Sequence, residues 1–478
     1  MIPVLLILIP LLTGVVAFFI KEERSVKAWA LLSAVATLAV ALLAVFTKAA
    51  APLNFDAKWL PVLGSRFTLS LDGMGKMLEL LTAVSFPIIF AATYKNHYKS
   101  SNAFYGFMLL SQAGLMGVFA AGDLLLFYFF WELALIPVYF LCSKWGGERR
   151  IPVTFKFFIY TFLGSLLMLV AILFVYYKAG GNSFNIDVLR AAVLTPSQEN
   201  VVFWMFFIAF AIKMPIFPFH TWQPDTYEQA PTAVTMVLSA VMVKMGVFAV
   251  IRWLLPLAPA ASVNYANVVM ILAVIGMIYA SLIAIKQDDM KRLVAYSSIA
   301  HIGLMGASMF TGEAIGMQGV MFQMFAHGIN VLGLWIVVDV IEQQLGTRKF
   351  TELGGLAQKA PTLAILFVIM ALANVALPLT NAFVGEFLMF NSLFKHNIIL
   401  AAVACISIIL AAVYTLWMVQ KVFYGEVRTS EMPEIKLHSG TALMLIILVA
   451  VVLVFGVYPQ PMFDLTNDTV TKILAQLK

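Results

Sequence analysis

Six ionisable side chains lie near the middle of long apolar stretches of this sequence. They are Glu132, Lys213, Lys244, His301, His327 and Glu386. A charge at the centre of a bilayer costs at least about 2.5–3.5 kcal/mol on insertion scales. Such groups persist only if they pair, lose their charge or face water. Because they come from six different stretches at similar depth, they predict a buried relay that passes protons.

Each of these residues also has a structural explanation when it is taken alone. A single histidine in a helical bundle is often a hydrogen-bonded packing residue, and a buried glutamate can be the ion-pair partner of a lysine. A seventh group, Glu79, lies nearer the start of its apolar stretch, which favours a structural role for it. The combination of two lysines, two glutamates and two histidines favours conduction for the other six.

The stretch FFIAFAIKMPIFPFHTW places the amine of Lys213 directly before two prolines. Pro215 and Pro218 cannot continue a regular helix, so the helix is predicted to break there. Unpaired backbone inside a membrane is tolerated where it lines a wet cavity, so water is expected to reach Lys213. A nearby glutamate favours the charged form of a buried lysine, and its movement or protonation favours release of the proton.

The composition indicates that lipid surrounds most of the chain. The sequence is 62% hydrophobic and 11% charged, with a mean hydropathy of +0.95, whereas soluble domains contain about 25% charged residues. We therefore predict an all-α polytopic membrane protein with one membrane domain, residues 1–478, and about 14 spans. The spans lie at roughly 2–20, 28–47, 74–94, 104–121, 124–142, 155–177, 201–219, 231–255, 267–285, 292–310, 317–340, 362–394, 399–419 and 441–459.

Two of these spans, the seventh and the twelfth, are predicted to be broken helices. Span 7 contains Pro215 and Pro218, and span 12 contains Pro378. The two breaks are five spans apart, which predicts two inverted five-helix repeats, spans 4–8 and 9–13, as in many transporters. The repeats correspond to residues 104–255 and 267–423.

The distribution of basic residues predicts the orientation. Loops after odd-numbered spans contain about twice as many Lys and Arg residues as the other loops and the C-terminal tail, which predicts that they lie inside. Both termini are then expected on the outer, periplasmic side. These loops also account for the net charge of +6, so a nucleic-acid partner is not expected.

The sequence contains no recognisable cofactor motif. Cys142 and Cys405 both lie in apolar runs and form neither a disulfide framework nor a metal-ligand pattern. A dinucleotide-binding glycine motif, a phosphate-binding loop and haem or iron–sulfur ligand patterns are all absent. We therefore expect no cofactor and no metal in this chain, and the energy source must be a partner or an ion gradient.

Five stretches resemble the antiporter-like membrane subunits of respiratory complex I. They read FWELALIPVYFL, AFAIKMPIFPFHTWQPDTYEQAPTAV, LSAVMVKMGVFAVIRW, DDMKRLVAYSSIAHIGLM and FAHGINVLGLW. The likeness covers spans 3 to 13, and the same family includes multisubunit sodium/proton antiporters and membrane-bound hydrogenase subunits. Two features separate this chain from the sister chains L and N. Glu386 stands where they generally have Lys, and the chain ends soon after span 14, where L continues into a long lateral helix.

The resemblance implies a role for each residue of the first half of the relay. Glu132 matches the essential glutamate of span 5, and Lys213 matches the lysine of span 7. Lys244 matches the lysine of span 8 that links two half-channels. The implied pumping cycle begins with a shift at the Glu132–Lys213 pair, which drives proton transfer through Lys244.

The second half of the relay is implied in the same way. His301 and His327 match the histidines of a central polar axis, and Glu386 matches the acid of span 12 that passes protons toward the outer side. The family member implied is a proton-translocating subunit of a bacterial NADH:quinone oxidoreductase in the inner (plasma) membrane. NAD, FMN, iron–sulfur clusters and quinone would then be bound by partner subunits. The expected partners are the other membrane subunits, especially chains L and N and the lateral helix of L, and the lipid bilayer.

Two alternatives remain open. The chain could be a subunit of a multisubunit sodium/proton antiporter, against which Glu386 argues. It could also be a passive scaffold whose buried charges are structural ion pairs.

Overall fold

The computed structural model describes residues 1–426 and 435–477, which are almost entirely helical. The long helices are α1 (Ile2–Ala17), α2 (Glu23–Phe46), α3 (Gly73–Ala92), α4 (Ser101–Ala120), α5 (Leu124–Trp145), α6 (Arg150–Lys178), α7 (Pro196–Lys213), α8 (Trp222–Gln229), α9 (Thr232–Leu257), α10 (Ala266–Ile285), α11 (Met290–Met309), α12 (Ala314–Leu345), α13 (Pro361–Asn374), α14 (Asn381–His396), α15 (Ile398–Tyr424), α16 (Ser439–Val457) and α17 (Gln460–Leu477). The predicted all-α polytopic class is confirmed.

Ten helices in the described part of the chain are long and apolar enough to cross a membrane. They are α2, α3, α4, α5, α6, α9, α10, α12, α15 and α16. Two further apolar helices, α1 and α13, are shorter. Each of the fourteen apolar segments predicted from the sequence contains helix, but the count of fourteen spans and the inverted-repeat relationship stay predictions.

Several helices begin at an aspartate that lies just outside the apolar segment. Asp72, Asp123 and Asp289 each accept a hydrogen bond from backbone amides two or three residues further on. These side chains satisfy amides that have no partner within the helix, and they fix where α3, α5 and α11 start. The helix ends are therefore encoded locally, next to the apolar residues that require burial.

Both predicted breaks are present. In the seventh predicted span, α7 ends at Lys213, and the short helix α8 begins at Trp222, just beyond the predicted end of the span. The twelfth consists of α13 and α14, with residues 375–380 between them. The breaks place helix ends, with their partial charges, inside an otherwise regular bundle.

Helix α12 is the central element of the bundle and is buried through its apolar stretch. It packs against α3, α9, α11, α13, α14, α16 and α17. Helix α9 is equally buried and contains two π-helical segments, Leu238–Met242 and Val250–Leu254. Four of the six candidate relay residues lie on α12 and on the helices that pack against it.

Two elements were not predicted from the sequence. An antiparallel hairpin pairs β1 (Asn54–Leu60) with β2 (Ser65–Ser70), and Arg66 of β2 forms an ion pair with Asp56 of β1. Helix α17 follows the last apolar span and packs against α3 and α12. The strands were missed because they have only seven and six residues, and a window of about 20 residues averages them away.

Candidate functional site

The amine of Lys244 on α9 contacts a histidine of the central helix. Its Nζ lies 2.8 Å from Nδ1 of His327 on α12 and donates to the carbonyl oxygen of Ser239 at 2.6 Å. Lys244 is 0% exposed and His327 is 2% exposed. When Lys244 is protonated it has only donors, so a neutral His327 then accepts from it at Nδ1 and carries its own proton on Nε2.

The second histidine contacts the acid of the other broken helix. Nδ1 of His301 on α11 lies 2.8 Å from Oε1 of Glu386 on α14. Gln323 of α12 donates to the same carboxylate oxygen at 3.3 Å. An ionised carboxylate only accepts, so His301 donates to it from Nδ1; when the imidazole is neutral, its Nε2 then holds a free electron pair.

The two contacts join into one series because the histidine rings are neighbours. The ring centroids of His301 and His327 are 5.6 Å apart, at an interplanar angle of 55°. Both Nε2 atoms are buried and have no hydrogen-bond partner within residues 1–426 and 435–477. The structure thus brings together four of the six predicted residues, in the order Lys244, His327, His301 and Glu386.

Neutral polar side chains hold the second helix break beside this series. Asn374, the last residue of α13, donates to Ser297 Oγ at 3.0 Å, and Tyr414 donates to the same oxygen at 3.1 Å. Asn330 of α12 donates to the carbonyl of Ala373 at 3.2 Å. These hydrogen bonds tie the end of α13 to α11, α12 and α15, which fixes the position of the break.

A small cavity adjoins the end of the series. Its volume is about 20 Å³, and His301, Glu386, Ser407 and Tyr414 are among its lining residues. This space is sufficient for one water molecule, and the lining offers the polar partners that a buried water requires.

Lys213 lies apart from the series. It is the last residue of α7 and is 2% exposed, and its Nζ has no hydrogen-bond partner in the described part of the chain. The amine lies 5.6 Å from the ring centroid of Trp131, within cation–π range. The carbonyl end of α7 carries a partial negative charge that also favours an ammonium group at this position.

Glu132 on α5 is less buried than the other five residues. It is half-buried, its Oε1 has no hydrogen-bond partner among the described residues, and Ser165 and Lys213 act on it electrostatically. Among the described residues no ion pair of 4 Å or less joins Glu132 to Lys213. The implied Glu132–Lys213 pair is therefore not in direct contact in this structure, and the role of Glu132 stays a prediction.

Protein groups satisfy part of the backbone at the first break. The indole Nε1 of Trp222 donates to the carbonyl of Ile212 at 2.9 Å, and the amide of Ile216 donates to the carbonyl of Ala211 at 2.9 Å. The expectation that this break leaves its backbone unpaired is wrong for these two carbonyls. The indole of Trp222 closes the end of α7 beside Lys213.

Glu79 on α3 does not match the structural role expected for it. The residue is 0% exposed, and neither carboxylate oxygen has a hydrogen-bond partner among the residues that the structure describes. An ion pair therefore does not explain its burial.

Helix α8 is held by ion pairs that sequence analysis missed. Asp225 contacts Lys156 of α6 at 2.9 Å and Arg292 of α11 at 3.0 Å, and Glu228 contacts Arg292 at 2.7 Å. Burial disfavours the charge of Asp225, but the hydrogen bonds from Lys156 and Arg292 outweigh this and hold its pKa below the ordinary 3.8. The charges in the stretches WQPDTYEQ and DDMKR were the available signal.

A cleft of about 630 Å³ opens beside these ion pairs, on the face that carries the loops after odd-numbered spans. We call it the loop-face cleft; Glu228, Thr232, Lys291, Glu342 and Arg348 are among its lining residues. Glu342 contacts Lys291 at 2.7 Å and Arg348 at 2.5 Å. The cleft is therefore polar and reaches the first turn of α9.

This architecture, with two broken helices and a buried series of ionisable groups, defines an ion-handling polytopic membrane protein. The family model described as NADH:quinone oxidoreductase/Mrp antiporter, transmembrane, matches residues 121–411. NADH-quinone oxidoreductase subunit M of Rhodobacter capsulatus is 37% identical over 468 residues, which cover 95% of this chain and 91% of the relative. F(420)H(2) dehydrogenase subunit M of Methanosarcina mazei is 34% identical, and the alignment covers 97% of each chain.

The solved structures include a similar chain in respiratory complex I from Thermus thermophilus with bound NADH. Its TM-score is 0.93 at 30% identity, and the superposition covers all of both chains. The chain belongs to the NADH:quinone oxidoreductase/Mrp antiporter transmembrane family and, within it, to subunit M. The family resemblance stated from the sequence is confirmed.

Proposed function

We propose that this chain is the proton-translocating subunit M of an NADH:quinone oxidoreductase and moves protons along Lys244, His327, His301 and Glu386. The observation that carries the proposal is that two hydrogen-bonded pairs of buried side chains, Lys244–His327 and His301–Glu386, meet at neighbouring histidine rings. A static structural role requires only pairs, whereas translocation requires the pairs to be joined. Quinone is reduced in partner subunits, and the energy of that reaction drives the transfer.

The hydrogen-bond pattern gives the transfer a direction. His327 accepts from Lys244 at Nδ1 and exposes an Nε2 proton toward the neighbouring ring, while His301 donates to Glu386 and exposes a free Nε2. A proton that passes from His327 to His301 converts His301 to imidazolium, which can release its Nδ1 proton to Glu386. Ring rotation or one bridging water closes the gap between the rings.

Lys213 and Glu132 are suited to control this series rather than to form part of it. Met214, which follows Lys213, packs against Gly246, two residues beyond Lys244, so the two lysines lie on touching helices. A charge on Lys213 disfavours a charge on Lys244. When Glu132 approaches Lys213, its negative charge offsets the repulsion between the two lysines. When Glu132 moves away, the repulsion returns.

The same proposal covers the surroundings of the chain. NAD, FMN, iron–sulfur clusters and quinone bind to partner subunits, and the direct neighbours are chains L and N with the lateral helix of L. The protein resides in the bacterial inner membrane with both termini on the outer side. Because subunits M of an NADH-quinone oxidoreductase and of an F(420)H(2) dehydrogenase are both similar to this chain, the electron donor is a property of other subunits.

The proposal is tested by Lys244→Met in the intact complex. Inverted membrane vesicles are given NADH, and internal acidification is measured together with quinone reduction. Loss of a relay group lowers proton transfer by about a hundredfold or more. The control is Lys76→Met, because Lys76 also lies in a spanning helix but its amine donates only to a backbone carbonyl, that of Thr47, at 2.7 Å. Normal acidification by an assembled Lys244→Met complex refutes the relay and favours a scaffold.

Sodium/proton antiport is the second candidate because the family model includes Mrp antiporters. Hard cations prefer oxygen ligands, whereas three of the four groups in the series are nitrogen bases, which favours protons. We expect acidification to be unchanged when sodium is replaced by potassium in the vesicle assay. A strict requirement for sodium would support the antiporter instead.

A further inference from the structure

Helix α9 connects the loop-face cleft to the relay, and its hydroxyl side chains lie on one face. Thr232 lines the cleft and donates to Oε2 of Glu342 at 3.1 Å. Thr235 and Ser239 follow at intervals of three and four residues, and both are 0% exposed. Residues at these intervals lie above one another on a helix, with Cβ atoms about 5–6 Å apart. We call Thr232, Thr235 and Ser239 the hydroxyl stripe.

A regular α-helix would turn Lys244 away from this stripe. At 3.6 residues per turn, Thr235 and Ser239 lie within about 60° of Thr232, but Lys244 would lie about 120° away. The π-helical segment Leu238–Met242 changes this, with the amide of Val243 bonded to the carbonyl of Leu238 at 3.1 Å. One extra residue in the turn moves Lys244 back by about 100°, to within about 20° of Thr232.

The contact at the end of the stripe agrees with this geometry. The amine of Lys244 donates to the carbonyl oxygen of Ser239 at 2.6 Å, so the stripe ends directly on the first group of the relay. Lys213 lies on α7 and has no contact with the stripe among the hydrogen bonds of the described residues.

Hydroxyl groups are chemically suited to this position. A hydroxyl can donate one hydrogen bond and accept others at the same time, which lets it take part in a chain of proton transfers. Thr235 donates to the carbonyl of Tyr227 at 3.2 Å, and this leaves its acceptor electron pairs available. A gap of about 5–6 Å between successive side chains is short enough for a single water molecule to bridge.

We propose that the hydroxyl stripe of α9 is a proton-loading path from the loop-face cleft to Lys244 that does not pass through Lys213. The inference rests on the proposed function of Lys244 as a relay group. In it, Thr232, Thr235 and Ser239 are positioning residues that hold the bridging waters. The π-turn aligns Lys244 with the hydroxyl stripe. Glu132 and Lys213 influence the charge state of Lys244 electrostatically and are not part of the path.

The decisive variant is Thr235→Val, which keeps the shape of the side chain and removes the hydroxyl. NADH-driven acidification of vesicles that contain the full complex is expected to fall about tenfold or more, because one transfer step loses its hydrogen-bonding group. Thr235→Ser restores the hydroxyl and is expected to retain most of the activity. The matched control is Thr161→Val in α6, since Thr161 is buried and donates only to backbone carbonyls, including that of Phe157 at 2.9 Å.

Lys244→Met is measured in the same series of membranes, with the amount of assembled complex determined for every variant. Normal acidification by Lys244→Met refutes the relay and the loading path together. If Lys244→Met is inactive, the path alone is overturned when Thr235→Val pumps normally. It is likewise overturned when Thr235→Val and Thr235→Ser are equally impaired, because packing rather than the hydroxyl then explains the loss.

Discussion

The two broken helices place opposite charges in the membrane and treat them differently. At the first break, the amine of Lys213 ends α7 and has no hydrogen-bond partner in the described part of the chain. At the second, the carboxylate of Glu386 is held by His301 and Gln323. An unpaired charge can respond to a partner that approaches, whereas a held charge keeps its geometry. The first break is therefore suited to control and the second to transfer.

The backbones of the two breaks also differ, in hydrogen bonding at the first and in strain at the second. Carbonyls at the first break are satisfied by the indole of Trp222 and by the amide of Ile216. At the second, Ala376 and Leu379 adopt the left-handed region with φ of 59° and 73°. Such conformations cost about 1–3 kcal/mol each and persist only where neighbours impose them. The hydrogen bond from Asn374 to Ser297 is one such constraint.

The largest expected effect is that of Glu386→Gln. The amide cannot take up a proton from His301, so NADH-driven acidification is expected to fall by about a hundredfold or more. Glu313→Gln is the control, because this carboxylate lies on a loop and forms no ion pair among the described residues. Vesicles with an assembled Glu386→Gln complex that acidify normally would show that the second break does not transfer protons.

Lys213→Met tests whether Lys213 controls the proton-transfer series or forms part of it. Acidification is expected to fall by about tenfold, less than for Glu386→Gln, because the transfer series is left complete. The melting temperature of the purified complex should stay the same or rise, because removal of an unpaired buried charge leaves no oppositely charged group without its partner. A large drop in melting temperature would show instead that Lys213 is a structural ion-pair partner.

Gly456→Ala tests whether a close neighbour imposes the strained conformation of the second break. A Cβ at position 456 of α16 would lie 2.2 Å from the carbonyl oxygen of Leu379 and 2.6 Å from the carbonyl carbon of Thr380. Backbone atoms cannot move aside easily, so we expect a loss of stability of about 1–3 kcal/mol, measured by thermal unfolding.

Gly440→Ala is the control for this variant in the same helix. The nearest atom to a Cβ at position 440 is the carbonyl oxygen of Ala91 at 3.9 Å, so the substitution is expected to be neutral. Equal stability of the two variants would contradict a close packing role for Gly456.

The difference between the breaks was only partly predictable from the sequence. Pro215, Pro218 and Pro378 located both breaks because proline cannot continue a helix. The cost of a charge in lipid identified the six relay candidates. Neither rule states which side chains meet, because contacts such as that between His301 and Glu386 join residues that are 85 positions apart.

The remaining features depend on interactions that no local pattern reports. The ion pairs of α8 take one partner from α6 and one from α11, so the sequence displays the charges but not their pairing. The π-turn at Leu238–Met242 is a shift of backbone hydrogen bonds, and no residue type in that stretch marks it. The segment packs against α3 and α12, which are distant in the sequence.

The smallest expected effect concerns acid, which should weaken the attachment of α8 at the first break but not the attachment of the end of α13 at the second. The folded-state pKa of Asp225 is lowered below 3.8 by its hydrogen bonds with Lys156 and Arg292. Its stabilising contribution is therefore fully present above the ordinary pKa and is lost as the pH falls through the lower folded-state value. At the second break, the end of α13 is held by the neutral side chain of Asn374, which does not titrate.

Amide hydrogen exchange, corrected for the intrinsic pH dependence, measures this difference. Protection along α8 is expected to stay constant from pH 7 to about 4 and to fall below that, while protection at the end of α13 changes less. Asp225→Asn should lower the protection of α8 at pH 7 and remove most of its acid sensitivity. Asp187→Asn, at an exposed position in the short helix Ile186–Arg190, should do neither. If α8 and the end of α13 lost protection in parallel, ion pairs would not be what distinguishes these two attachments.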